Sequence, residues 1–96
     1  MLVVVTYDVS TVTSEGRRRL RRVAKVCEDY GQRVQNSVFE CLLDPESLVI
    51  MRNRLLGIVD PEEDSLRFYF LGNRWRQRIE RVCGPEPVDF EEPLVL

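Results

Sequence analysis

The sequence contains no histidine, which removes the commonest general base and the commonest metal ligand from any chemistry the chain performs. Carboxylates, hydroxyls, thiols or arginines must then carry it. Cysteine is sparse too: Cys27, Cys41 and Cys83 are odd in number and far apart, with no CxxC pair, which argues against a disulfide framework and a zinc site. Each lies in an apolar context and is expected to pack as a small buried hydrophobe, in keeping with a reducing compartment. The glycines form neither a Walker A nor a GxGxxG pattern, so nothing points to nucleotide hydrolysis or dinucleotide binding. No apolar stretch approaches the ~20 residues of a membrane span. Met1 leads straight into Leu2-Val3-Val4-Val5 without a basic leader or a small-residue cleavage site, so a soluble cytoplasmic protein with no membrane partner is expected.

What is present fits one small domain. The 96 residues are 44% hydrophobic and 31% charged, a globular composition. A chain this short buries only roughly 60–65% of its unfolded surface, so a second copy would help to stabilise it. Leu2 to Val9 is β-branched and apolar almost throughout, which predicts a central strand buried on both faces and ending at Asp8. Ser14 is placed to cap a helix carrying Leu20, Val23, Ala24, Cys27 and Tyr30 at helical spacing, with Gly31 as its stop. Gln32 to Leu43 reads as strand, either two short strands joined at Asn36-Ser37 or one bulged strand. Asp44-Pro45-Glu46 supplies a cap, a first-turn proline and a favourable acid for a second helix with Leu48, Met51 and Leu55, ending by Gly57. Leu66 to Leu71 is an aromatic strand closed by Gly72, and Arg74 to Cys83 is ambiguous between short helix and strand. With a hairpin at Asn36-Ser37 the order is βαββαβ, an α+β ferredoxin-like arrangement with both helices on one sheet face. Pairing of two such sheets in a homodimer would cover the other face. The expected domain spans residues 1–84. Residues 85–96 form an extended acidic tail ending in Leu94-Val95-Leu96, which either closes back on its own domain or adds to a partner's sheet.

Two groups of residues could carry chemistry. Asp8, at the C-terminal end of the central strand, offers a carboxylate to a hard cation such as Mg²⁺ or Mn²⁺. One carboxylate is a poor metal site, but a two-fold axis close by would bring two copies of Asp8 to one ion. The structural alternative is that Asp8 caps a turn through Ser10 and Thr11. Ser10, Thr11, Thr13 and Ser14 have no base to activate them and read as loop and cap residues. The second group is arginine: 13 of the 14 basic residues are Arg, a bias toward phosphate recognition. Arg18, Arg21, Arg22 and Lys25 form a helical stripe with Arg17 beside it, able to follow a phosphate backbone or simply to be solvated. Arg74, Arg76, Arg78 and Arg81 form a less specific cluster, and Trp75 and Tyr69 suit packing better than base stacking. The formal charge of −2 misleads on average. Residues 1–85 hold 14 basic and 12 acidic groups, net +2, whereas residues 86–96 hold four acids and no base.

Tyr7-Asp8-Val9, the basic run Gly16 to Lys25 and above all Tyr30-Gly31-Gln32-Arg33-Val34-Gln35-Asn36-Ser37-Val38-Phe39-Glu40-Cys41 resemble the CRISPR-associated protein 2 family, the second of the two universal spacer-acquisition proteins, also described as a metal-dependent endoribonuclease. The resemblance covers nearly the whole chain. It implies a ferredoxin-like homodimer in which the last strand of each chain crosses to the other's sheet, and it implies that Asp8 is the catalytic, metal-binding acid paired with its dimer mate. It further implies Mg²⁺-dependent cutting of single-stranded RNA or duplex DNA, and a place between copies of an integrase partner during spacer integration. The alternative expectation is a non-catalytic, DNA-binding scaffold for that integrase, in which the arginines rather than Asp8 do the work.

Overall fold

The computed structural model describes residues 1–85. β1 (Leu2–Asp8) is the strand predicted at the centre of the sheet. It is followed by α1 (Ser14–Glu28), β2 (Gly31–Gln35), β3 (Val38–Leu42), α2 (Pro45–Leu56) and β4 (Ser65–Gly72). The sheet order is β2-β3-β1-β4, with every neighbouring pair antiparallel. This is the ferredoxin-like α+β arrangement expected from the element order. A 3₁₀ helix at Trp75–Gln77 is the one regular element between Gly72 and Pro85, so of the short helix and the strand weighed for Arg74 to Cys83 only three residues are helical and none is strand. The tail and its apolar end at Leu94-Val95-Leu96 lie outside the described residues. No helix among the described residues is long and apolar enough to cross a membrane.

Local chemistry explains the element boundaries. Asp44 caps α2 by accepting from Ser47 N at 2.7 Å, with Pro45 in the first turn, as its sequence requires. At α1 the cap is Thr13 rather than Ser14: its hydroxyl accepts from Gly16 N at 3.0 Å. Gly31 does not stop α1, which ends at Glu28 with Asp29 as its C-cap. It opens β2, and Tyr30 lies between the two elements. The break at Asn36-Ser37 is a tight turn, giving two strands.

The core lies between the sheet and both helices. Val3, Val5 and Tyr7 of β1 pack with Phe39 and Cys41 of β3, Val23, Ala24, Val26 and Cys27 of α1, and Met51 and Leu55 of α2. Val26 joins this set although the helical spacing does not single it out. Strand alternation sends Val4, Thr6 and Asp8 to the other face, where Val4 and Thr6 are only half-buried and Asp8 is exposed. Within one chain, β1 is therefore covered on one face and not on both, because the helices supply only one layer. Cys27 and Cys41 are buried as expected, with the Cys41 thiol donating to Cys27 O, whereas Cys83 is exposed because the segment after β4 leaves the core.

Gly31 is fixed by a close approach. A Cβ there would sit 2.0 Å from the Glu40 carbonyl oxygen and 2.6 Å from the Cys41 Cα, both backbone atoms. At Gly57 the nearest atom would be 3.5 Å away and φ is −76°, a conformation any residue adopts. Gly31→Ala should therefore destabilise by about 1–3 kcal/mol or more. Gly57→Ala should be neutral or stabilise by up to ~1 kcal/mol. Urea unfolding of the two variants measures this, and equal effects would contradict the packing account.

Candidate active site

Asp8 is the last residue of β1 and pairs with Ser65, the first of β4. It opens onto a cleft of about 360 Å³ at one end of the uncovered sheet face, shared with Thr6, Ser37, Ser65, Arg67 and Tyr69. The Asp8 carboxylate makes no hydrogen bond or ion pair among the described residues. Ser10, the partner expected for a turn cap at Asp8, instead accepts from Val12 N at 3.4 Å. The cleft thus combines a free carboxylate, hydroxyls and a guanidinium. Arg67 reaches toward the Tyr69 hydroxyl at 3.4 Å, which raises the guanidinium's proton affinity, and the group stays exposed.

Directly beneath the cleft lies a polar cluster that the sequence did not reveal. The Asp64 side chain is 1% exposed. It accepts from the Tyr7 hydroxyl, from Arg19 Nε at 2.9 Å and Nη2 at 3.2 Å, and from Asp60 N at 2.9 Å. Burial alone would raise the Asp64 carboxyl, but the donors from Arg19, Tyr7 and Asp60 more than offset it, and the group is held below the usual carboxylate range. The same burial, with the Asp64 carboxylate beside it, pushes the Tyr7 phenol well up. Arg19 also stands 3.8 Å from Glu63.

Arg19 splits the basic run of α1. Arg17, Arg18, Arg21, Arg22 and Lys25 are all exposed, while Arg19 turns toward Asp64. Arg17 donates to the carbonyls of Thr11 and Val12 at 2.9 and 3.1 Å, tying the loop after β1 to the helix. Arg18, Arg21, Arg22 and Lys25 have no ion-pair partner among the described residues, so their charge is available to a ligand. Arg22 and Lys25 also flank a shallow groove with Asn53 and Arg54 of α2. In the second basic cluster Arg78 donates to Leu71 O at 2.9 Å, and Arg76 lies over the buried Trp75 ring at 4.5 Å, so part of that cluster serves packing. The structure does not bring Asp8 and the α1 stripe together: Asp8 is on the uncovered sheet face and α1 on the opposite layer. No group of three or more Cys, Asp or Glu side chains gathers into a metal cage among the described residues.

Sequence reasoning missed Arg67, Ser65, Ser37 and Asp64 as parts of this region. Period-two alternation in β4, with Leu66 and Phe68 inward, would have placed Arg67 outward beside Asp8. No comparable signal marks Asp64, which sits in an acidic turn with Asp60, Glu62 and Glu63.

A family model described as CRISPR associated protein Cas2 matches residues 1–79. Among curated relatives, a CRISPR-associated endoribonuclease Cas2 of Chlorobaculum tepidum is 59% identical over 96 residues, covering all of both chains. A CRISPR-associated endonuclease Cas2 of Halalkalibacterium halodurans is 48% identical over 95 residues, covering 99% of each. The crystal structure of Streptococcus pyogenes Cas2 at pH 6.5 superposes with a TM-score of 0.80 at 57% identity, covering 86% of this chain and 100% of that one.

The depressed carboxyl of Asp64 has a definite consequence for acid stability. Its folded-state pKa lies below the unfolded value of about 3.9, so its stabilisation is complete above that value and is lost as pH falls through the folded pKa. Asp64→Asn should be less stable at neutral pH, and it should lose less stability than the parent between about pH 5 and pH 2.5. Thermal unfolding across that range is the check; parallel curves would show that Asp64 carries no linkage.

Proposed function

Because the chain belongs to the Cas2 family of CRISPR-associated proteins, we propose that it acts in spacer acquisition as a metal-dependent endonuclease on RNA or duplex DNA. The observation that carries this reading is Asp8: an exposed carboxylate with no hydrogen bond among the described residues, at the mouth of a cleft lined by hydroxyls and Arg67. The donors suit a hard divalent cation, since Asp8, Thr6, Ser37 and Ser65 offer oxygen only, and Mg²⁺ or Mn²⁺ fits such a set. One chain contributes a single carboxylate. A second copy facing the first across a two-fold axis would add its own Asp8, and the half-buried Val4 together with the 46% exposed Tyr69 beside it supports a sheet-to-sheet homodimer. In that dimer the terminal Leu94-Val95-Leu96 would join the partner's sheet.

A bound cation would supply Lewis-acid polarisation of the phosphodiester and an acidified water. The chain's own residues do the remaining work. Asp8 would hold the ion, and Arg67, free on one side, would orient a phosphate oxygen by charge-assisted hydrogen bonds. With no histidine and no lysine in the cleft, no side chain there can serve as a strong general base. Slow turnover follows. The relatives' names, endoribonuclease and endonuclease, support cleavage of a phosphodiester.

A second reading, a DNA-binding scaffold for the integrase partner, is favoured by a separate observation: Arg18, Arg21, Arg22 and Lys25 are exposed and unpaired among the described residues. Over residues 18–25 they span about 10 Å of helix, enough to meet successive phosphates. The two readings use different surfaces and different variants separate them.

Asp8→Asn should lower metal-dependent cleavage at least 100-fold with an unchanged unfolding temperature. Full cleavage by the purified variant would overturn the enzymatic reading. Loss of spacer integration in cells carrying Asp8→Asn, at normal protein level, would in turn overturn the pure scaffold. Replacing Arg18, Arg21 and Arg22 by Ala should weaken duplex binding and reduce the slope of log K against log salt by about 2–3, near 0.9 for each phosphate no longer neutralised. An unchanged slope would remove the stripe from the interface.

A further inference from the structure

Asp8 has to be aimed without help from its own hydrogen bonds. Its carboxylate has no partner among the described residues, and it stands where the sheet runs out. Pairing of β1 with β3 ends at Thr6 opposite Val38, with one more bond from Tyr7 N to Ser37 O at 2.9 Å. On the β4 side Asp8 opposite Ser65 is the last pair of the ladder. A strand end in this position ordinarily frays, and a ligand on it would wander.

The Asp64 cluster removes that freedom from both sides at once. Tyr7, the residue before Asp8, is 1% exposed and donates to Asp64. Asp64 itself immediately precedes Ser65, the backbone partner of Asp8. Arg19 of α1 holds Asp64 through two nitrogens at 2.9 and 3.2 Å, and Asp60 N closes the loop from behind at 2.9 Å. The two strand ends that frame Asp8 are therefore fastened to one buried carboxylate, which a helix holds in place.

We propose that Asp64, with Tyr7 and Arg19, is a positioning device for Asp8: it touches neither metal nor substrate, and it fixes the direction in which Asp8 presents its oxygens. This rests on the reading of Asp8 as a metal ligand. It assigns the cluster a job beyond stability, because a ligand displaced by even 1 Å loses on the order of 100-fold in productive geometry.

The test uses the full chain and Mn²⁺ as the probe. Mn²⁺ binding without substrate is followed by electron paramagnetic resonance, and cleavage is measured in parallel. Tyr7→Phe removes one hydroxyl and Asp64→Asn one charge, and Leu55→Val is a core change on α2 that alters none of the cluster's hydrogen-bonding groups. Tyr7→Phe and Asp64→Asn should each weaken Mn²⁺ binding about 10-fold or more and lower kcat with little change in KM. Leu55→Val, compared at a similar loss of unfolding temperature, should bind Mn²⁺ as the parent does. If Asp64→Asn does not fold, Tyr7→Phe decides alone. Parental Mn²⁺ binding in Tyr7→Phe, with binding lost in Asp8→Asn, overturns the positioning role and leaves the metal-ligand reading intact. Equal weakening in Leu55→Val also overturns it, as a mere effect of stability. Parental binding in Asp8→Asn overturns the ligand reading and the positioning role together.

Discussion

A carboxylate taken out of water is costly unless its oxygens are matched by donors, and Asp64 meets that condition with the Tyr7 hydroxyl, two nitrogens of Arg19 and the Asp60 amide. The matching makes it the joint between three parts of the chain: the end of β1, the first half of α1 and the turn into β4. Removing one partner of such a pair leaves a charge stranded in a dry place, which takes a large share of a small domain's stability. Arg54 and Asp29 behave differently. That pair is 3.1 Å apart, but its side chains are 42% and 51% exposed, so water and salt screen most of its attraction. Two ion pairs of similar length thus differ in consequence because one is dry.

The amino-acid sequence made most of the architecture legible. Local rules sufficed for α2, where Asp44, Pro45 and Glu46 mark the start beyond ambiguity, and for the hairpin, where polar Asn36-Ser37 splits an otherwise strand-like run. Expectation and structure part where two local signals compete within a residue or two. Thr13 and Ser14 are both good caps, and Gly31 could end a helix or begin a strand pressed against a neighbouring backbone. Asp8 was legible as a candidate because an acid after a run of valines stands out. Asp64 and Arg19 were not, since their partnership joins residues 45 apart and each resembles its neighbours in kind. Arg19 shares a basic run with five exposed cations, and only the fold shows that it alone faces a carboxylate.

The layered build also separates two capabilities. The basic stripe of α1 is on the outer side of the helical layer, whereas Asp8 and Arg67 belong to the uncovered face of the sheet. The charge proposed to attract a polyanion and the acid proposed to act on a phosphodiester are thus back to back within one chain. The two proposed roles, attraction along α1 and reactivity at Asp8, can therefore vary independently of each other. The same separation explains the weak meaning of net charge here, since no single surface has the average composition.

Trp75 offers a practical consequence of the turn after β4. It is the only tryptophan in the chain, 5% exposed, outside the main hydrophobic cluster, with the Arg76 guanidinium 4.5 Å from its ring. The stretch that follows, Ile79 to Pro85, borders the uncovered sheet face beside Val34, Gln35 and Glu40. Intrinsic emission excited at the indole band therefore carries the signal of this one segment against a background of three tyrosines. The molecule comes with its own fluorophore beside the face on which the proposed homodimer would form, so association could be followed optically without attaching a dye.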